Sequence, residues 1–126
     1  MGQSIFRVNP LIYFGPNSTD MLLQTKFTRA MVVTDPFMKE SGMLDQVLSR
    51  LNGEYRVFSE IQPDPDVALV AKGVSALLEW APDLVIAFGG GSSIDAAKSI
   101  VNYASKILNN QDRVRFFAIP TTSGTG

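Results

Sequence analysis

Hydrophobic positions along the chain follow two alternating patterns. Short, nearly continuous apolar runs occur at residues 30–34 (Ala-Met-Val-Val-Thr), 84–88 (Leu-Val-Ile-Ala-Phe) and 116–119 (Phe-Phe-Ala-Ile), each bounded by Asp, Pro or Gly. Runs of this kind predict central parallel strands covered on both faces. Residues 55–59 (Tyr-Arg-Val-Phe-Ser) alternate more, and residues 5–14 predict an extended arm or hairpin broken at Asn9-Pro10. Between these runs the apolar period shifts to 3.6. Met43, Leu44, Val47, Leu48 and Leu51 share one face; Val67, Val70, Ala71, Val74, Leu77 and Leu78 share another; Ile94, Ala97, Val101, Ala104 and Leu108 a third. Three amphipathic helices follow. A fourth, weaker one begins at Asn17 or Ser18, where Asp20 and the hydroxyls can satisfy free amides of the first turn. Each crossover exceeds the roughly ten to twelve residues a parallel connection requires. The prediction is a βαβαβαβ layer: an α/β, Rossmann-like parallel sheet flanked by helices, without repeats or linkers.

The length of 126 residues supplies one domain with one core. With 11 Lys and Arg against 12 Asp and Glu, the net charge of −1 offers no footprint for nucleic acid or an anionic membrane. The chain has no Cys and no His, which excludes disulfides, thiol nucleophiles, Cys/His zinc sites and His-dependent catalysis within these residues. Chemistry is left to backbone amides, hydroxyls, carboxylates and lysines. There is neither a secretory signal nor an apolar run of membrane-spanning length, so a cytoplasmic location is expected. The sequon Asn17-Ser18-Thr19 then reads as a helix cap.

Candidate chemistry concentrates where strands end. Residues 84–98 pass from a buried strand through Gly89, Gly90 and Gly91 into an amphipathic helix. Glycines let a ligand approach the backbone, and the free amides of residues 91–94 at the positive end of a helix dipole suit a phosphate or pyrophosphate. The alternative is a bare turn closed by a capping box between Ser92 and Asp95. Lys98, one turn in, could face a phosphate or solvent. Asp35 ends the run Val32-Val-Thr-Asp, where a carboxylate can accept from a ribose diol and repel a 2′-phosphate, or simply begin a turn before Pro36. Thr121, Thr122, Ser123 and Thr125 set hydroxyls among glycines on the same rim. Gln62 to Asp66 reads as a stiff turn with Asp66 capping the next helix, and Trp80 as packing.

Gly89-Gly-Gly-Ser-Ser-Ile-Asp-Ala-Ala-Lys98 followed by Ala118-Ile-Pro-Thr-Thr-Ser-Gly-Thr-Gly126 closely resembles the two nucleotide-binding signatures of the iron-containing (group III) alcohol dehydrogenases, in their order and separation. The likeness extends from Tyr13-Phe14-Gly15 through Val33-Thr34-Asp35 to Phe58–Pro65, where it looks most like the enzymes of propanediol and ethanolamine utilisation. It implies a truncated dehydroquinate synthase-like N-terminal domain over residues 1–126 that binds NAD. By position, Asp35 would hold the adenosine ribose, Gly90, Gly91 and Ser92 the pyrophosphate, and Thr121, Thr122 and Thr125 the adenine and nicotinamide side, with Asp95 and Lys98 bordering the site. Asp64, a further cofactor contact that the resemblance implies, stands where the family commonly has Asn.

In that family an Asp and three His of a helical C-terminal domain bind Fe²⁺ or Zn²⁺. That domain is absent here, so the parent is expected to interconvert a small primary alcohol and its aldehyde while the isolated chain is inactive. Cutting after a central strand is expected to leave an unpaired edge, and the N-terminal strands could pair in a homodimer. Two other classes compete. A phospho-acceptor receiver would need a phosphorylatable Asp where Gly89-Gly-Gly stands and a Lys after residue 119, neither of which is present. A standalone non-catalytic nucleotide-binding or interaction module would carry the same glycines.

Overall fold

In a computed structural model, which describes residues 10–12, 18–108 and 114–121, the apolar runs form one five-stranded sheet in which every pairing is parallel. Strands β1 (Pro10–Ile12), β2 (Arg29–Val33), β3 (Glu54–Phe58), β4 (Leu84–Gly89) and β5 (Arg115–Pro120) lie in the order β1-β5-β4-β2-β3. Of the opening segment, residues 10–12 are extended as expected and pair with β5, Pro10 opposite Phe116 and Ile12 opposite Ala118; the remainder of residues 5–14 lies outside the described residues. An edge strand tolerates a proline because its outward side needs no donor. This pairing covers the side of β5 that was expected to be left open.

Alternation along each strand sends successive side chains to opposite faces, and both faces are covered. Met31, Val33, Val85, Ala87, Phe116 and Ala118 pack against α3 (Val67–Trp80) and α4 (Gly91–Leu108). Ala30, Val32, Leu84, Ile86, Phe88, Phe117 and Ile119 pack with Leu22, Met38, Leu44 and Val47 on the other side. Gly73 lets α3 and α4 approach: a Cβ there would lie 2.4 Å from Ile100 Cδ1.

The second face is built from shorter pieces than the periodicity predicted. Ser18–Gln24 is a 3-10 helix, and α1 (Pro36–Glu40) and α2 (Leu44–Leu48) are single turns separated by Gly42 at φ +88°. Beyond α2, Arg50 and Leu51 bond carbonyls three residues back, so the helix tightens and stops before Leu51. Asp20 does not cap: its Oδ1 accepts from Arg50 Nε at 2.8 Å, tying the 3-10 helix to the end of α2. Asn17 and Tyr13-Phe14-Gly15 lie outside the described residues. Asp66 does cap α3, its Oδ1 accepting from the Leu69 amide at 2.9 Å.

The edge of the sheet at the strand N-termini is clasped by Asp83. Its carboxylate accepts from the amides of Thr28 and Arg29 at 2.9–3.1 Å, and its backbone bridges Arg29 and Arg115. Trp80 donates to the Ala30 carbonyl and is flanked by the guanidinium groups of Arg29 and Arg56. Among the described residues no helix is long and apolar enough to cross a membrane.

Strand order determines where a ligand can enter. After β2 the chain turns toward β3, along the face that carries α1 and α2; after β4 it turns toward β5, along the face that carries α4. The C-terminal ends of the adjacent strands β2 and β4 therefore diverge, leaving a crevice at the topological switch point of the sheet.

Candidate functional site

The wall of that crevice on the β4 side is the triglycine turn. Gly89 is buried at φ +139°, and a Cβ there would meet Ser93 Oγ at 3.1 Å and Asp35 Oδ2 at 3.2 Å. Gly90 and Gly91 differ: a Cβ on either would meet nothing within 4 Å among the described residues. α4 begins at Gly91, and its first internal bond runs from the Ile94 amide to the Gly90 carbonyl at 3.1 Å. The amides of Gly91, Ser92 and Ser93 thus precede any intrahelical acceptor and have no partner among the described residues. No capping box closes the turn. Ser92 and Asp95 are exposed, and neither side chain makes a hydrogen bond among the described residues. The amides lie at the positive end of an 18-residue helix.

The opposite wall comes from β2. Thr34 is fully buried and donates its hydroxyl to the Phe88 carbonyl at 2.6 Å, while its amide donates to the Phe58 carbonyl at 2.9 Å. The ends of β2, β3 and β4 are thereby fastened together beneath the crevice. Asp35 follows, half-buried and extended at φ −108°, with Pro36 opening α1. Its Oδ1 caps α1 through the Met38 amide at 2.9 Å, and its Oδ2 accepts from the Ser93 hydroxyl at 3.1 Å. The turn expected at Asp-Pro is real, and the same carboxylate also reaches across to α4.

Between the walls lies a cleft of about 440 Å³ bounded by Asp35, Pro36 and Phe37 after β2, Ile61, Gln62 and Pro63 after β3, and Gly90, Gly91, Ser92 and Ser93 after β4. Four of the sequence-predicted residues, Asp35, Gly90, Gly91 and Ser92, come together here. Thr121 stands next to the turn, its amide donating to the Gly89 carbonyl at 2.9 Å. Asp95 and Lys98 lie further along α4, outside the lining, and Lys98 has no ion pair among the described residues. Asp64 is exposed, also outside the lining, at φ +52°. Asn and Asp are the non-glycine residues that tolerate this left-handed conformation best, which gives a backbone reason for either at this position. Thr122 and Thr125 lie outside the described residues.

Sequence reasoning passed over Ser93, Thr34 and Phe37. Ser93 and Thr34 are the two buried polar side chains among the described residues. A polar residue closing an apolar strand and a second serine after the glycines were the available signals. Phe37 is 58% exposed on the rim, an apolar surface beside the cleft.

Residues 9–126 match the iron-containing alcohol dehydrogenase family, and the chain belongs to it. It is 37% identical over 123 residues to the 1-propanol dehydrogenase PduQ of Salmonella typhimurium, covering 96% of this chain and 33% of that protein. It is 35% identical over 131 residues to the NADPH-dependent butanol dehydrogenase of Clostridium saccharobutylicum, covering 90% and 34%. In fold it matches the iron-containing alcohol dehydrogenase of Thermococcus thioreducens with a TM-score of 0.76 at 23% identity, over 94% of this chain and 37% of that one. The chain spans about a third of the length of these two curated relatives.

The family name implies iron. The residues in hand do not fit it: the chain contains no His or Cys, and among the described residues no three carboxylates converge. A dinucleotide fits better, since the cleft offers unpartnered amides, two glycines with open space and a fixed carboxylate.

Proposed function

We propose that this chain is the cofactor-binding part of an NAD-dependent alcohol dehydrogenase that interconverts a small primary alcohol and its aldehyde. The observation that carries the reading is the cleft at the switch point between β2 and β4, where the free amides of Gly91, Ser92 and Ser93 stand opposite the Asp35 carboxylate. The amides, with the open backbone of Gly90 and Gly91, hold a diphosphate. Asp35 retains lone pairs for the hydroxyls of a ribose and disfavours a phosphate on them, which supports NAD over NADP. When bound, the nicotinamide supplies the hydride acceptor or donor. The chain's own residues bind and orient the cofactor; with no His or Cys, and no cluster of three carboxylates among the described residues, the chain leaves the holding of a catalytic metal to residues outside these 126. The isolated chain is accordingly inactive.

Titration of the isotope-labelled chain with NADH, followed by amide NMR, tests this. Shifts should cluster at residues 89–95 and 121–126 with dissociation constants of about a millimolar, because one wall of the full site is missing. NADPH should bind more weakly. No shift at those residues at several millimolar NADH would reject the reading. Turnover of 1-propanol by the isolated chain would reject the division of labour.

A further inference from the structure

We infer that Ser93 is a positioning residue that sets which nicotinamide dinucleotide the cleft accepts, by holding the Asp35 carboxylate against α4. The inference rests on the dinucleotide reading above. A carboxylate at the end of a strand does not discriminate by its presence alone, because rotation about its side-chain bonds can carry the charge toward solvent as a phosphate approaches. Here that escape is obstructed at both oxygens. Oδ1 is engaged by the Met38 amide at 2.9 Å and Oδ2 by the Ser93 hydroxyl at 3.1 Å, so two elements on opposite walls of the crevice grip one carboxylate.

The environment of Ser93 makes its hold costly to release. Its side chain is 2% exposed, and a hydroxyl at that depth left without an acceptor is penalised more than one that water can reach. Gly89 packs directly against the contact, within 3.1–3.2 Å of both partners for a Cβ at that site, which limits room on that side. Thr34 beneath fastens the ends of β2 and β4, so the distance between the strand carrying Asp35 and the turn carrying Ser93 is itself fixed. The charge therefore stays where the ribose hydroxyls must lie, with its free lone pairs available to them and its repulsion of a 2′-phosphate undiminished.

The test compares NADH and NADPH dissociation constants for the complete chain and its variants by calorimetry, with thermal melts confirming that each is folded. Wild type should prefer NADH. Ser93→Ala should lower that preference about fivefold, mainly by strengthening NADPH binding, as expected for releasing one hydrogen bond to a partly exposed charge. Ser93→Thr should keep the wild-type preference, and Ser93→Cys, a weaker donor of similar size, should fall between. In an Asp35→Asn background Ser93→Ala should leave the preference unchanged, which a merely structural role would not produce. An unaltered preference in Ser93→Ala, or equal binding of both dinucleotides by wild type, overturns the role of Ser93 while leaving the cleft a dinucleotide site. Binding of neither dinucleotide at millimolar concentration overturns the dinucleotide reading itself.

Discussion

Alanine substituted singly at Gly89, Gly90 and Gly91 should produce three different results, although the glycines are adjacent. At Gly89 the backbone sits at φ +139°, a conformation nearly confined to glycine that costs an alanine about 1–3 kcal/mol. The new Cβ would also lie 3.1 Å from Ser93 Oγ and 3.2 Å from Asp35 Oδ2, and neither group can yield without weakening their mutual hydrogen bond, worth about 1 kcal/mol. Gly89→Ala should therefore lose about 3 kcal/mol, lowering the melting temperature by roughly 10 °C for a domain of this size. Gly90→Ala meets open space without a positive φ, and its stability should stay within about 0.5 kcal/mol of wild type. Gly91→Ala, at the first residue of α4, should gain a few tenths of a kcal/mol, roughly, from reduced unfolded-state entropy. Both stable variants place a methyl group where a diphosphate must approach the backbone, so NADH affinity should fall about tenfold or more. Thermal and urea unfolding by circular dichroism give the first comparison, and NADH titration the second. Equal destabilisation at Gly89 and Gly90 would refute the assignment of the turn's strain to Gly89. Unchanged NADH binding by Gly91→Ala and Gly90→Ala would refute the cradle.

Other substitutions probe the scaffold. Gly73→Ala should destabilise by about 1–2 kcal/mol, the overlap with Ile100 Cδ1 at 2.4 Å outweighing the roughly 1 kcal/mol gain in helix propensity, and Ile100→Ala should offset part of that loss in a double-mutant cycle read by urea unfolding. Asp83→Ala removes the acceptor for the Thr28 and Arg29 amides and should cost about 2 kcal/mol, held down by the partial exposure of the carboxylate; Asp83→Asn should recover some of it in the same assay. Asp64→Gly should be neutral or stabilising by up to about 0.5 kcal/mol and Asp64→Val destabilising by about 1 kcal/mol, because φ is +52° there; the reverse order in thermal melts would contradict the left-handed assignment.

The periodic segments were legible because their burial is two-sided and long enough to leave a pattern. β2, β3, β4 and β5 begin and end within one residue of the runs that predict them, and α4 carries the face expected of it. On α3, Val74 and Leu77 are buried and Val70 and Leu78 half-buried as expected, whereas Val67 and Ala71, which the periodicity places on the same face, are exposed and Gly73 is buried instead. The second face was harder to read. Its helices are single turns, and the Met43–Leu51 periodicity extends across a helix that stops at Leu48. Short turns take their conformation from what they pack on, here Val32, Ile86 and Phe88, rather than from their own pattern. The pairing of residues 10–12 with β5 joins segments more than a hundred positions apart, and no local signal reports such a contact.

The candidate site divides along the same line. Glycines before a helix announce free amides, so the triglycine wall of the cleft was visible in the sequence, as was a carboxylate at the end of the adjacent strand. What joins them was not: Ser93 and Asp35 are 58 residues apart, and Thr34 reaches the carbonyl of a residue 54 positions away. The local reading of Asp20 as a cap is displaced in the fold by a distant partner, and the capping box read between Ser92 and Asp95 is not made among the described residues. Asp20 leaves its own helix for Arg50, and the first three amides of α4 have no partner among the described residues. A helix start that satisfied itself with Ser92 and Asp95 would be more stable and would have two fewer donors left for an anion. Leaving the cap unmade while anchoring the neighbouring hydroxyl to Asp35 places the unsatisfied groups on the cleft side of the turn, the arrangement a ligand-binding turn requires and a purely structural one would avoid.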